Sequence, residues 1–202
     1  WGWFFYDWAC QPFYTLMLTF FFAPYFATVA ADYFVASGVE IEASKAKAQT
    51  MWSICLSASG LFIGISAPIL GAIADTSGRR MPWIYVFSIM LIVGALGTWV
   101  GVPDGSNLTL MLYFFALGYI GTEFALIFTN AQLTTLGNQN EIGKISGSGF
   151  GFGYLGGVFA LAIALLFLVE QPNGTTFMLG IEPLFGFLNP ENMEGTRFVG
   201  PL

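Results

Sequence analysis

Histidine is missing from this chain, cysteine occurs twice, and only 9% of its 202 residues are charged, six of them Lys or Arg. Water-soluble domains carry about a quarter charged residues, so this composition excludes one. Without imidazole, any group that handles protons must be a carboxylate or a phenol. Cys10 and Cys55 both lie in apolar runs. They are too few for a disulfide framework and read as small apolar residues. Lys and Arg are too sparse and scattered for a nucleic-acid surface, so no nucleic-acid partner is expected. No metal-ligand cluster and no nucleophile–base pair is visible, which argues against an enzyme and against a bound cofactor. What fills the chain instead is apolar: 56% hydrophobic residues, with 22 Phe and 6 Trp, and a mean hydropathy of +0.72.

A bilayer-spanning helix needs about 20 mainly apolar residues. Five runs qualify, at about 8–31, 51–74, 83–102, 108–131 and 145–169. The expected fold class is therefore an all-α integral membrane protein, with the lipid bilayer as its solvent. The opening run lacks the basic flank and cleavage site of a signal peptide. Trp1 and Leu202 read as cut ends. The stretch 170–196 contains Pro172, Pro183 and Pro190 around the apolar run Phe177–Leu188. It reads either as an interfacial or re-entrant element on the outer surface or as an ordered loop, and Arg197 onward as the start of a sixth helix.

The net charge of -6 comes largely from acids between the runs, among them Asp32, Glu40, Glu42, Asp104 and Glu182. Arg79, Arg80 and Lys144 sit in the alternate connections, and the positive-inside rule places those, with the amino end, in the cytoplasm. Lys45 and Lys47, beside Glu40 and Glu42, weaken that assignment without reversing it. The expected location is the inner membrane of a bacterium. Two sequons, at Asn107 and Asn173, fall on the outer side.

Ionisable groups inside membrane helices are costly and are functional candidates by default. Glu123 lies near the middle of the fourth run, and Tyr119 and Asn130 share its helical face at i−4 and i+7. A carboxylate between a phenol and an amide suits a site for a cation, a proton or an amino group; a structural carboxylate is the plainer alternative. In the first run Gln11, Thr15 and Thr19 follow Asp7 at intervals of four, with Tyr14 beside them. That makes a polar seam suited to an aqueous cavity. Asp7 itself, at the expected helix start, also suits the helix macrodipole.

Glycines crowd the fifth run. The pairs Gly149/Gly153 and Gly153/Gly157 are small-residue repeats that let helices approach closely, by packing or by sliding. No Lys-Ser/Thr follows them, so they form no phosphate cradle. Between the second and third runs stands Gly71-Ala-Ile-Ala-Asp75-Thr-Ser-Gly78-Arg79-Arg80. Solvated charges that set topology would account for part of it.

That last pattern resembles the loop joining helices 2 and 3 of the major facilitator superfamily: Gly, three residues, Asp, two residues, Gly-Arg-Arg. Further stretches are similar to its vacuole-effluxer-like branch, the permeases related to an autophagy-linked amino-acid exporter. They are Tyr6-Asp7-Trp8-Ala9, Ala67-Pro68 through Asp75, and Ser146-Gly147 through Gly157. Two positions depart from the branch: Cys10-Gln11 replaces Asn-Ser, and Thr134 a common proline. The resemblance implies an incomplete six-helix half of a twelve-helix transporter, whose missing carboxyl-terminal half supplies the other cavity wall. It also implies that Gly71, Asp75, Gly78, Arg79 and Arg80 form a conformational latch.

The function expected is secondary active transport of a small polar solute by alternating access, with the proton as the candidate coupling ion. An amino acid is the solute the resemblance suggests. A substrate or proton pathway would use Glu123, Tyr119, Asn130, Gln11, Tyr14 and Thr15. The alternative is a membrane sensor or scaffold that keeps a transporter-like fold.

Overall fold

A computed structural model describes residues 1–202, the side chain of Ser77 aside. Five of its helices are long and apolar enough to cross a membrane, and no strand forms among the described residues. The chain is an all-α, multi-pass membrane protein. The spans are α1 (Gly2–Ala36), α2 (Ile41–Ser77), α3 (Met81–Gly97), α4 (Leu108–Asn130) and α5 (Gln139–Ile163). A short helix, α6 (Glu194–Arg197), follows.

Short connections make successive spans antiparallel. One end of the bundle thus carries Arg79 and Arg80, and the opposite end carries the residues near 37–40, 101–107 and 169–202.

Local chemistry explains where the spans begin and end. α1 opens at Gly2 rather than near residue 8, so Asp7 lies more than a turn inside it and caps nothing. Pro12 removes a backbone donor, and the helix widens into a π segment, Phe13–Phe20, before resuming at Phe22. There the Phe21 N–H donates to the Leu16 carbonyl five residues back, at 2.9 Å.

α2 starts ten residues earlier than hydropathy suggests (at 41 rather than 51), because the Glu40 side chain caps it by accepting from the Ala43 N–H. Lys45 and Lys47 therefore sit in its first turns. Lys45 pairs with Glu42 at 2.9 Å, and the Lys47 ammonium rests 5.5 Å from the centre of the Phe34 ring. α2 ends at Gly78, whose left-handed φ of 64° favours glycine. α5 starts at Gln139, not 145, because Asn138 and Glu141 form a capping box. Lys144 is accordingly a helix residue.

Two close helix pairs hold the bundle. In α3 and α4, a side chain on Gly94 would strike the backbone of Gly118, and one on Gly121 the backbone at Leu91. In α1 and α5, the glycine stripe meets the polar seam. Between these pairs Phe13, Phe22, Phe26, Trp52 and Phe115 form an aromatic core. A second core, Phe87, Phe124 and Phe128, stacks with Trp83 toward the Arg80 end. α2 is different: few of its residues are buried, Ala48, Trp52 and Ala74 among them, and Ile54, Leu61, Ile65 and Ile69 stand exposed.

Residues 170–193 form an ordered loop with one antiparallel bridge, Glu170–Thr176, and two short 3₁₀ turns. Its apolar run is not a re-entrant helix; it leaves Phe177, Met178, Phe185 and Phe187 exposed. α6 is followed by turns over residues 198–201. Gly200 and Pro201 stand in those turns, and Gly200 packs against Thr98 and Ala95 of the α3 end.

Candidate functional site

A cleft of about 930 Å³ opens between α1, α4 and α5. α1 contributes Trp3, Asp7, Gln11, Tyr14, Thr15 and Thr19; α4 contributes Glu123, Leu126 and Asn130; α5 contributes Ser146, Phe150, Tyr154 and Val158. The seam spaced by fours thus faces one cavity. The π segment keeps Thr19 and Phe20 on it. Within that segment the Thr19 hydroxyl donates to the Tyr14 carbonyl at 3.0 Å. Wide turns of this kind recur at functional sites.

Glu123 is half-buried, and its Oε1 accepts a hydrogen bond from the Tyr14 hydroxyl at 3.0 Å. Hydrogen bonds to a charged group contribute about 1.5–3 kcal/mol, enough to hold the carboxylate in one orientation. Nothing local in the sequence pairs these residues, which are 109 positions apart. Tyr119, one turn before Glu123, faces the same carboxylate and stacks on Phe115, but it does not line the cleft. Asn130, the last residue of α4, does line it.

Asp7 is buried where α1 crosses α5. A side chain on Gly153 would collide with its carboxylate and come within 3.4 Å of Gln11 Cγ. Gly157 leaves the matching space for the Thr15 hydroxyl, and Gly149 for the Trp3 ring. Gly156 faces the Trp8 carbonyl, the acceptor that Pro12, with no N–H, leaves without its usual helical partner. Gly147 and Gly151 face open space instead. Only part of the glycine run is therefore a packing surface. Which part depends on the rotation of α5, which the spacing of glycines alone leaves open.

At the Arg80 end, Nη2 and Nε of Arg80 donate to Asp75 Oδ1 at 2.7 and 3.1 Å. Its Nη1 donates to the Ala131 carbonyl at 2.6 Å. One guanidinium thus ties the end of α2 to the end of α4, where the helix dipole favours a cation. Asp75 is 62% exposed, so the ion pair itself adds little; the bridge matters for its geometry. Arg79 stands exposed at the same turn, and Gly71 has open space beside it.

The opposite end holds a polar cluster that sequence reasoning missed, having assigned Glu170 and Thr196 to a loop and Arg197 to the start of a helix. Glu170 Oε2 accepts from the Thr196 N–H and hydroxyl at 2.8 and 3.1 Å. Arg197 donates to the Trp99 carbonyl at 2.6 Å and lies 4.6 Å from the centre of its ring. Burial pushes the Glu170 carboxyl above the usual carboxylate range. Among the described residues no group of three or more His, Cys, Asp or Glu is placed to hold a metal ion.

The chain is 28% identical over 171 residues to an uncharacterized MFS-type transporter, YxiO, of Bacillus subtilis (strain 168). The similarity covers 84% of this chain and 38% of that protein, so the chain spans well under half the length of the relative it matches. No family model matches the chain, and no solved structure matches it.

Proposed function

We propose that this chain is part of a secondary transporter of the major facilitator type, moving a small polar solute across the membrane by alternating access. The observation that carries the proposal is the cleft itself: a membrane-depth carboxylate, Glu123, oriented by Tyr14 toward an open cavity of about 930 Å³. Single cavities that hold small molecules run about 300–1,000 Å³. The similarity to an MFS-type transporter supports the same reading.

In this reading the cleft is one wall of a solute path, and the partner wall comes from a further part of the protein. Gln11, Thr15 and Asn130 offer hydrogen bonds to the solute, and Glu123 its charge. The Arg79/Arg80 end faces the cytoplasm. There the Arg80 bridge holds α2 and α4 together in one access state and lets go in the other. An amino acid is the solute we favour, with protons as the coupling ion on Glu123.

The test is counterflow in liposomes containing the parent protein. Labelled amino acids are supplied outside and an unlabelled mixture inside. The wild type is expected to accumulate label, and Glu123→Gln to reduce flux about tenfold or more, a barrier change of about 1.4 kcal/mol. Undiminished flux in the variant removes Glu123 from the path. No flux in the wild type, for any solute tried, moves the protein to the sensor or scaffold class.

A further inference from the structure

We infer that this wall of the cleft binds a positively charged nitrogen: the solute is an amine, a quaternary ammonium compound or the ammonium end of a zwitterion. The inference rests on the transporter reading of the same cleft and adds the charge of what enters it. Its basis is the charge on this wall of the cavity. The lining includes two carboxylates, Asp7 and Glu123, and neither Lys nor Arg.

The chain's six basic residues all lie elsewhere. Lys45 and Lys47 occupy the first turns of α2, one paired with Glu42 and the other over Phe34. Arg80 is held by Asp75 and the Ala131 carbonyl, with Arg79 beside it in sequence. Lys144 stands exposed near the start of α5, and Arg197 is stacked on Trp99 at the opposite end. An anion entering the cleft meets carboxylates and no cation on this wall.

The rest of the lining suits a cation as well. Phe150 and Tyr154 stand edge to face at 4.8 Å and remain 59% and 54% exposed, while both line the cleft. Exposed ring faces attract an ammonium or guanidinium through the ring quadrupole, by about 0.5–2 kcal/mol depending on desolvation. Tyr14 spends its hydroxyl proton on Glu123, so that proton is not offered to an entering anion. Carboxylates at membrane depth are stabilised by a counter-charge, and a cationic solute supplies one.

The experiment measures binding, not flux, with the parent protein in nanodiscs and three probes sharing one phenyl body. Phenethylamine carries only the ammonium, phenylalanine both charges, and 3-phenylpropionate only the carboxylate. Titration calorimetry is expected to register phenethylamine, phenylalanine or both, and 3-phenylpropionate at least tenfold more weakly. Phenethylamine bound as well as phenylalanine identifies an organic cation site. Phenylalanine alone identifies an amino-acid site held by its ammonium end.

Glu123→Gln is expected to weaken the bound cation about tenfold or more. Glu123→Asp, which keeps the charge, is expected to recover part of the loss, and an unchanged unfolding temperature checks that both variants fold. Binding led by the anion, loss of binding by neither variant, or no cation bound up to roughly 10 mM overturns the inference. Binding without counterflow leaves the inference standing and removes the transport reading. Counterflow of a neutral or anionic solute, with no cation bound, does the reverse.

Discussion

Gly153 and Asp7 illustrate how one missing side chain can set the position of a charge. The carboxylate occupies the space that a Cβ on Gly153 would take, so α1 and α5 can only touch at this level because position 153 is bare. Gly153→Val is expected to destabilise the parent protein by about 1–3 kcal/mol through overpacking. Gly151→Ala, which faces open space, is expected to be close to neutral. Thermal unfolding in one detergent compares the two directly, and equal effects would remove the notch as the cause. The glycine repeat was legible in the sequence, and so was a polar seam on α1. Their mutual contact was not, because residues 7 and 153 meet only once two helices have docked.

Arg80 belongs to the scale of elements, since its meaning lies in the two helix ends it joins. A guanidinium reaches a carboxylate and a carbonyl at once through its planar fork; an ammonium on a flexible stem holds neither in the same geometry. Arg80→Lys keeps the positive charge but loses that two-way bridge. The substitution is expected to leave loop sidedness unchanged, read by labelling an introduced cysteine from either side of the membrane. Flux in the counterflow assay is expected to fall severalfold. Flux at the wild-type level would reduce the loop to a topology signal. The loop motif was visible from its spacing alone. That its arginine lands on the carbonyl of Ala131 could not be read, because nothing in residues 131–138 marks that carbonyl as an acceptor.

For the molecule as a whole, the two ends of the bundle are closed by different means: an exposed ion pair at one, a half-buried carboxylate at the other. Glu170 holds the Thr196 turn against the end of α5, and its folded pKa is raised chiefly by burial. Above that raised pKa the carboxylate is charged in both folded and unfolded states, and the fold bears the full desolvation penalty. As pH falls from there toward the ordinary value of about 4.5, the folded state takes up its proton first and gains stability. Below that value both states are protonated and the gain is constant. Glu170→Gln is expected to flatten this part of the pH profile of the unfolding temperature. A variant profile parallel to the wild type would mean that another group titrates.

Composition by itself determined that the chain lives in a membrane and crosses it with five helices. Few charges and long apolar runs leave no other way to satisfy the backbone. It also pointed to Glu123, because a carboxylate at mid-membrane depth is costly and therefore conspicuous. Tertiary structure alone decided what Glu123 faces. Tyr14, its hydrogen-bond donor, comes from another helix, and the absence of any lysine or arginine around the cleft is a property of how the helices surround it. Tertiary structure also moved Asp7 from a helix end to a buried crossing, since the true start of α1 depends on aromatic packing that Trp3 and Phe4 make with other helices. Periodicity reports which face of a helix is polar. Docking decides which faces meet.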